Sequence, residues 1–218
     1  GIIVSPADGH VMFVRQERAS GRRPSKEDID QGNFETDKLT GDWVNEPCPN
    51  PTTFETEQRW ESVAGEPSEH DCWRIAIFMS PLDVHVNRAP VSGQIVRMEH
   101  RSGKGRIRGP YVRAYRKESE YNERVRTVIK TQSGESIEVT QIAGALARTI
   151  VPWKFEGDTV TRGERYGMIR LGSRVDIRVP SRYKPQVKSA EEGDLNMPKG
   201  QFVLAGTDIL FVNLEEEE

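Results

Sequence analysis

The chain has 218 residues, with 31 lysines and arginines against 34 aspartates and glutamates, a net charge of −3 that lacks the basic excess of a nucleic-acid-binding protein. Charged residues make up 30% and hydrophobic residues 35%, with a mean hydropathy of −0.67, a soluble-looking composition sized for one large domain or two small ones. No apolar run approaches the ~18–20 residues of a membrane-spanning helix, and Cys48 and Cys72 lack CxxC spacing, so no metal site is expected and free thiols are the plainer reading than a disulfide.

Gly1 to Val14 reads as strand, turn, strand, with Ser5-Pro6-Ala7-Asp8-Gly9 as the turn. Gly1 is already inside a strand-like run, which leads us to expect further chain upstream. From Arg15 to Asp71 the sequence is polar and broken by Gly and Pro, the pattern of an elaborated loop or hairpin insert. Loops of that length are uncommon in compact domains, so short strands are expected within it. Its aromatic residues Phe34, Trp43, Phe54 and Trp60 suggest that part of it docks on the body. Cys72 to Met79 and Val91 to Met98 read as strands. Arg101 to Gly109 is a basic, Gly-rich loop. Arg124 to Thr131 and Ser136 to Gln141 form a predicted hairpin around Gly134. Ala143 to Ile150 leans towards strand. Thr159 to Val179 carries several strands separated by Gly163 and Gly172, and Gln201 to Leu214 reads as a closing strand pair before an acidic tail. Short strands with few convincing helices predict a mainly β or α+β fold: one compact catalytic domain over residues 1–218, barrel-sandwich-like, with antiparallel strands and a polar insert at about 15–71.

Three places in the chain could carry chemistry. The first is Gly172-Ser173, set between two strand-like runs. A serine hydroxyl can attack the carbonyl of the preceding residue and turn the amide into an ester. Glycine before it leaves the carbonyl unshielded and tolerates a strained backbone. Elimination then gives dehydroalanine, which hydrolyses to a pyruvoyl group and ammonia. The ketone can take a substrate amine as a Schiff base and act as an electron sink for decarboxylation. A Gly-Ser pair alone is ordinary turn chemistry. The second is His85, in the alternating run Val84-His85-Val86. If the valines face the core, His85 faces a cleft or solvent, and imidazole is the usual general base near neutral pH. The third is Asp8, in the Pro-Ala-Asp-Gly turn. It is either turn chemistry or the carboxylate that orients the histidine, in the manner of a triad.

Taken together, Ser5-Pro6-Ala7-Asp8-Gly9, the run from Phe78 to Pro90 containing Ser80-Pro81-Leu82-Asp83-Val84-His85, Asn122-Glu123-Arg124, Gln141-Ile142-Ala143-Gly144 and Gly163 to Asp176 resemble the phosphatidylserine decarboxylase family, closest to its short bacterial and archaeal branch. The match covers Gly1 to Val14 and roughly Arg74 to Pro180, with a looser likeness at Leu204-Ala205-Gly206-Thr207. The resemblance implies a proenzyme cut at Gly172-Ser173 into a β chain, 1–172, and an α chain, 173–218, that opens on a pyruvoyl group made from Ser173. It implies Ser173, His85 and Asp8 as catalytic residues. It also implies phosphatidylserine or a related aminophospholipid as substrate, with the ethanolamine lipid and carbon dioxide as products. A peripheral position on the cytoplasmic side of the cell membrane and a possible homodimer follow from the same likeness.

Two departures from the family pattern stand out. Longer bacterial members carry a second histidine three residues after the first, where this chain has Arg88. A guanidinium cannot serve as a base at neutral pH, so Arg88 is expected to bind a substrate phosphate or carboxylate instead. The stretch from Arg15 to Asp71 is also longer than the family pattern suggests. Arg101, Lys104, Arg106 and Arg108 could meet anionic headgroups, or form a plain exposed loop. The alternatives to a self-processing decarboxylase are a non-catalytic biotinyl- or lipoyl-like β module, suggested by the turn Gly157 to Gly163, and a family member that has lost self-processing.

Overall fold

In the computed structural model, residues 1–22, 24, 26–36, 48, 50–101, 122–144, 149–170, 172–190 and 200–213 are described. Their strands, in chain order, are β1 (Ile2–Val4), β2 (Gly9–Arg22), β3 (Gln58–Ser62), β4 (Asp71–Met79), β5 (Val86–Arg88), β6 (Gly93–Arg101), β7 (Arg124–Lys130), β8 (Ser136–Ile142), β9 (Ile150–Pro152), β10 (Thr159–Val160), β11 (Arg165–Ile169), β12 (Ser173–Pro180), β13 (Lys184–Pro185), β14 (Phe202–Val203) and β15 (Ile209–Val212). A short helix, α1 (Lys26–Gln31), and a 3-10 turn at Pro51–Thr53 complete the regular structure among these residues. The fold is mainly β, as expected.

A large curled sheet runs β10-β6-β7-β8-β12-β4-β2-β14, with β3 added on β2. Two three-stranded sheets, β1-β15-β13 and β5-β11-β9, pack with it. Every pairing is antiparallel. Register shifts between Val11 and Phe13 and between Ile95 and Arg97 mark the irregularities that bend a long sheet.

Strand β12 explains how the layers form. Its residues alternate Ser173, Val175, Ile177, Val179 on one face and Arg174, Asp176, Arg178 on the other. The odd positions sit opposite Met79, Ile77, Ile75 and Trp73 on β4, and Val175 and Ile177 sit opposite Gln141 and Val139 on β8. This face is the apolar core, continuous with Ile3, Ala7, Val11, Ile95, Ile129, Ile169 and Phe211. The even positions belong to a charged layer that is also buried.

On that second face, Arg74 binds Asp176 and Glu17, and Arg174 binds the same Asp176 through Nε at 2.5 Å and Nη2 at 2.8 Å. Arg178 joins Glu17 at 3.0 Å to Glu138 at 2.7 Å, and Arg126 holds Glu138 and Glu99. The guanidinium groups of Arg15, Arg74 and Arg174 stack over Phe13, and that of Arg178 lies over Trp60.

The covering layer comes from the region between Arg15 and Asp71. Phe54 is fully buried against Cys72, Val128 and Trp60, and Arg126 donates to the carbonyls of Phe54 and Thr56. Docking through Phe54 and Trp60 therefore matches the expectation. Phe34 lies at the edge of exposure, and Trp43 falls outside the described residues. The start of this region differs from the reading. Strand β2 continues to Arg22 and pairs with β4 as far as Arg18 opposite Asp71, so the first part of the insert is the extension of a long β2–β4 ribbon.

The β7–β8 hairpin forms as predicted, closing through Gly134 at φ 89°. The C-terminal strands exist but do not pair with each other. Strand β14 joins β2, and β15 joins β1 and β13. Half of the segment expected as a strand from Ala143 to Ile150, residues 145–148, lies outside the described residues, as does the basic loop beyond Arg101, and of the described half only Ile150 is in a strand. Both cysteines are free, and burial pushes the Cys72 thiol pKa well up. No described helix is long and apolar enough to cross a membrane.

Candidate active site

Gly172 is the hinge on which the site turns. It enters β12 with φ +65°, the left-handed region where a side chain would be strained. Its N–H donates to Nε2 of His85 at 2.9 Å. The other ring nitrogen of His85, Nδ1, lies 2.7 Å from the carbonyl oxygen of Asp83. A carbonyl can only accept, so Nδ1 carries the hydrogen and Nε2 is a bare lone pair turned towards the Gly172 amide. The imidazole is thus locked in one tautomer, one peptide away from Ser173.

The loop that presents His85 is built for rigidity. Asp83 accepts the Ser80 N–H at 2.6 Å through its carboxylate and donates its own N–H to the Ser80 carbonyl at 3.0 Å. The carbonyl of His85 accepts from Ile169 N at 3.0 Å, tying the loop to the strand that leads into Gly172. The valine pattern read from the sequence is not what positions the ring. Val84 is exposed, residues 84 and 85 precede the strand, and the polar Asn87 is the fully buried residue of β5. Residues 85 and 87 share a side in an alternating run, which is the signal that could have singled out Asn87.

Ser173 is fully buried at the start of β12, opposite Met79. Its hydroxyl donates to Met79 Sδ at 3.4 Å, a weak acceptor. Asn87 Nδ2 also approaches this sulfur, at 3.7 Å, and the carbonyl of Pro6 at 3.5 Å. Asn87 Oδ1 accepts from Gln141 Nε2 at 2.7 Å. Asn87, Gln141 and Met79 carry no assigned role in the sequence reading, although all three stand in the runs that carry the family likeness.

Asp8 lies in the turn between β1 and β2. Its Oδ1 accepts the Ala205 N–H at 2.7 Å, while Gly206 N donates to the Ser5 carbonyl at 2.7 Å. The turn Leu204 to Asp208 is thereby fastened to the turn Ser5 to Gly9, and this accounts for the looser likeness around Leu204-Ala205-Gly206-Thr207. The Pro6 carbonyl in the same turn accepts from Arg88 N at 2.9 Å. Asp8 has no hydrogen bond to His85 among the described residues; the backbone of β5 links their two elements.

Arg88 takes a structural position. Its Nη1 donates to the Gly163 carbonyl at 2.6 Å, and its Cδ packs where a side chain on Gly206 would fall, 2.8 Å from that ideal Cβ. Its remaining guanidinium nitrogens have no partner among the described residues. Arg101, the described member of the basic loop, is held by Glu57 at 2.5 Å and by the Pro24 carbonyl, so it serves the docked insert. Lys104, Arg106 and Arg108 lie outside the described residues.

The profile of the phosphatidylserine decarboxylase family matches residues 1–210. Among curated relatives, a phosphatidylserine decarboxylase proenzyme of Streptomyces griseus is 56% identical over 107 residues, 49% of this chain and 46% of the relative. One from Zymomonas mobilis is 46% identical over 138 residues, 63% of this chain and 50% of the relative. A Methanosarcina mazei protein named as an archaetidylserine decarboxylase proenzyme is 42% identical over 137 residues, 63% of this chain and 58% of the relative. The matches span about half the length of these relatives. No solved structure matches. The chain belongs to the phosphatidylserine decarboxylase family.

Proposed function

We propose that this chain is a proenzyme that cuts itself at Gly172-Ser173 and then decarboxylates phosphatidylserine or a close aminophospholipid. The observation that carries the reading is the left-handed Gly172, its amide held by a tautomer-locked histidine, immediately before a buried serine. Membership of a family whose relatives are named proenzymes supports it.

The residues around position 173 suit a pyruvoyl group made from that serine. The hydroxyl rests on a thioether, and Gln141 Oε1, on the same face of the sheet, is buried without a partner, so unused polar capacity lies on the side of the sheet that carries Ser173. Once formed, the group supplies an electron sink for loss of carbon dioxide from an amine-bearing substrate. Before that, the protein's task is to deprotonate and aim Ser173. His85 holds the scissile segment by accepting the Gly172 N–H at Nε2, and it serves as base when that one lone pair exchanges the Gly172 N–H for the Ser173 hydroxyl. Asp8 fixes the turn Leu204 to Asp208 through one carboxylate oxygen, which leaves its second oxygen for the reaction. The unpartnered nitrogens of Arg88 suit the phosphate or carboxylate of the headgroup.

A peripheral position on the membrane follows from a lipid substrate. The rigid turn beside His85 presents Leu82, 96% exposed, and Val84, 59% exposed, as an apolar tip next to the site. A surface of that kind suits contact with acyl chains. The test is carbon dioxide release from phosphatidylserine vesicles by the full chain, alongside Ser173→Ala. Release by the native chain and none by the variant is the expected result. An active Ser173→Ala refutes the assignment.

A further inference from the structure

Resting on this reading, we propose that Asn87 and Gln141 form a positioning clamp that serves the Ser173 oxygen during self-cleavage. Among the registered positions around the start of β12 on the core face, namely Ser173, Val175, Ile177, Met79, Ile77, Ile75, Gln141 and Val139, only Ser173 and Gln141 are polar. Gln141 is fully buried, and its Oε1 has no hydrogen-bond partner. An apolar side chain would spare the desolvation of that carboxamide. A buried polar group with an unfilled valence calls for a reason.

The reason lies in what Gln141 does to its neighbour. It donates to Asn87 Oδ1 at 2.7 Å, which fixes the flip of the Asn87 carboxamide and turns its NH2 away, towards Met79. That NH2 has two long contacts, 3.5 Å to Pro6 O and 3.7 Å to Met79 Sδ. The Ser173 hydroxyl donates to the same sulfur at 3.4 Å. Two donors therefore converge on one poor acceptor.

The arrangement changes sense when Ser173 reacts. In the first step the Ser173 oxygen bonds to the Gly172 carbonyl carbon, the bond from that carbon to the Ser173 nitrogen breaks, and the hydroxyl proton ends on the freed amine. As the proton leaves, the oxygen becomes a strong acceptor, and the Asn87 NH2 is a donor at the same sulfur with no good bond to give up. The clamp thus favours the charged oxygen over the resting hydroxyl, the differential binding that accelerates a step.

The test is made on the full chain produced by cell-free synthesis. Intact mass follows the appearance of fragments 1–172 and 173–218 in native, Gln141→Leu and Asn87→Ala chains, with thermal unfolding in parallel. Gln141→Leu removes one orphaned acceptor, its own Oε1, and strands another, Asn87 Oδ1, so its melting temperature should stay near the native value while cutting slows roughly ten- to a hundred-fold. Asn87→Ala should slow cutting at least as much. A role in packing alone would lower cutting only together with stability. The proposal is overturned if Gln141→Leu cuts at the native rate, or if both variants lose cutting and stability together. A native chain that never cuts removes the parent reading, and this one with it, whereas native cutting matched by Gln141→Leu removes the clamp alone.

Discussion

Gly172 and His85 act as a unit, and each can be tested by a single substitution. A Cβ at Gly172 meets open space apart from Pro81 Cγ at 3.7 Å, so the penalty for Gly172→Ala is the left-handed backbone, about 1–2 kcal/mol. We expect a modestly lowered melting temperature and slowed cutting, read by calorimetry and intact mass. His85→Phe keeps a ring but removes the acceptor of the Gly172 N–H, at about 1–3 kcal/mol for a stranded donor in a partly buried place. Cutting should be abolished in a folded chain; unimpaired cutting would remove His85 from the machinery. Ser173, His85 and Asp8 were legible as candidates because turn chemistry and a family likeness mark them. Asn87 was marked only by sharing a side with His85 in an alternating run, and Gln141 not at all, because a carboxamide inside a strand has no distinctive spacing; only the register of β8 against β12 reveals that Gln141 shares a face with Ser173.

At the scale of the element, β12 shows why alternation is ambiguous. Val175, Ile177 and Val179 against Arg174, Asp176 and Arg178 reads as a strand with one wet face. Both faces are buried, because Phe13, Phe54 and Trp60 roof the charged side and each arginine meets a carboxylate. Burial pushes the Asp176 carboxyl pKa up, but Arg174 and Arg74 more than offset this and hold it at about 2. Burial raises Glu17 and Glu138 as well, and their arginines bring both below the ordinary glutamate range. Folded pKa values below the unfolded ones give stability that is present above about pH 4, near the unfolded values, and lost as pH falls towards the folded ones. Acid unfolding should therefore set in between about pH 4 and pH 2, Asp176 contributing about 2–3 kcal/mol. Asp176→Asn leaves Arg74 and Arg174 without their shared carboxylate, and urea titration at neutral pH should show a loss of about 3–5 kcal/mol. A loss under 1 kcal/mol would mean that the layer is solvated.

For the whole molecule, the division of labour between the two faces of the large sheet is the organising fact. The core face carries Ser173 and the elements that converge on it: β4 through Met79, β5 through Asn87, β8 through Gln141 and the loop through His85. The charged face carries the roof from the Arg15–Asp71 region, anchored among the described residues by Phe54 and Trp60. Phe54→Ala should cost about 3–5 kcal/mol as the roof loses its anchor, measured by denaturant titration. The mainly β class, the hairpin at Gly134 and aromatic docking of the insert were readable from short strands, turn residues and isolated aromatics. That the insert continues β2, and that the last two strands part to different sheets, was not, because strand partnership is non-local and leaves no mark in either strand alone. The central claim is a chemical change at one peptide bond. Intact mass of the full chain after prolonged incubation, with and without hydroxylamine, tests it most directly. Self-cleavage yields two fragments meeting at Gly172-Ser173, the smaller one lacking the serine amine and gaining a hydroxylamine adduct at its new terminus; a single uncut species at 24.7 kDa would refute it.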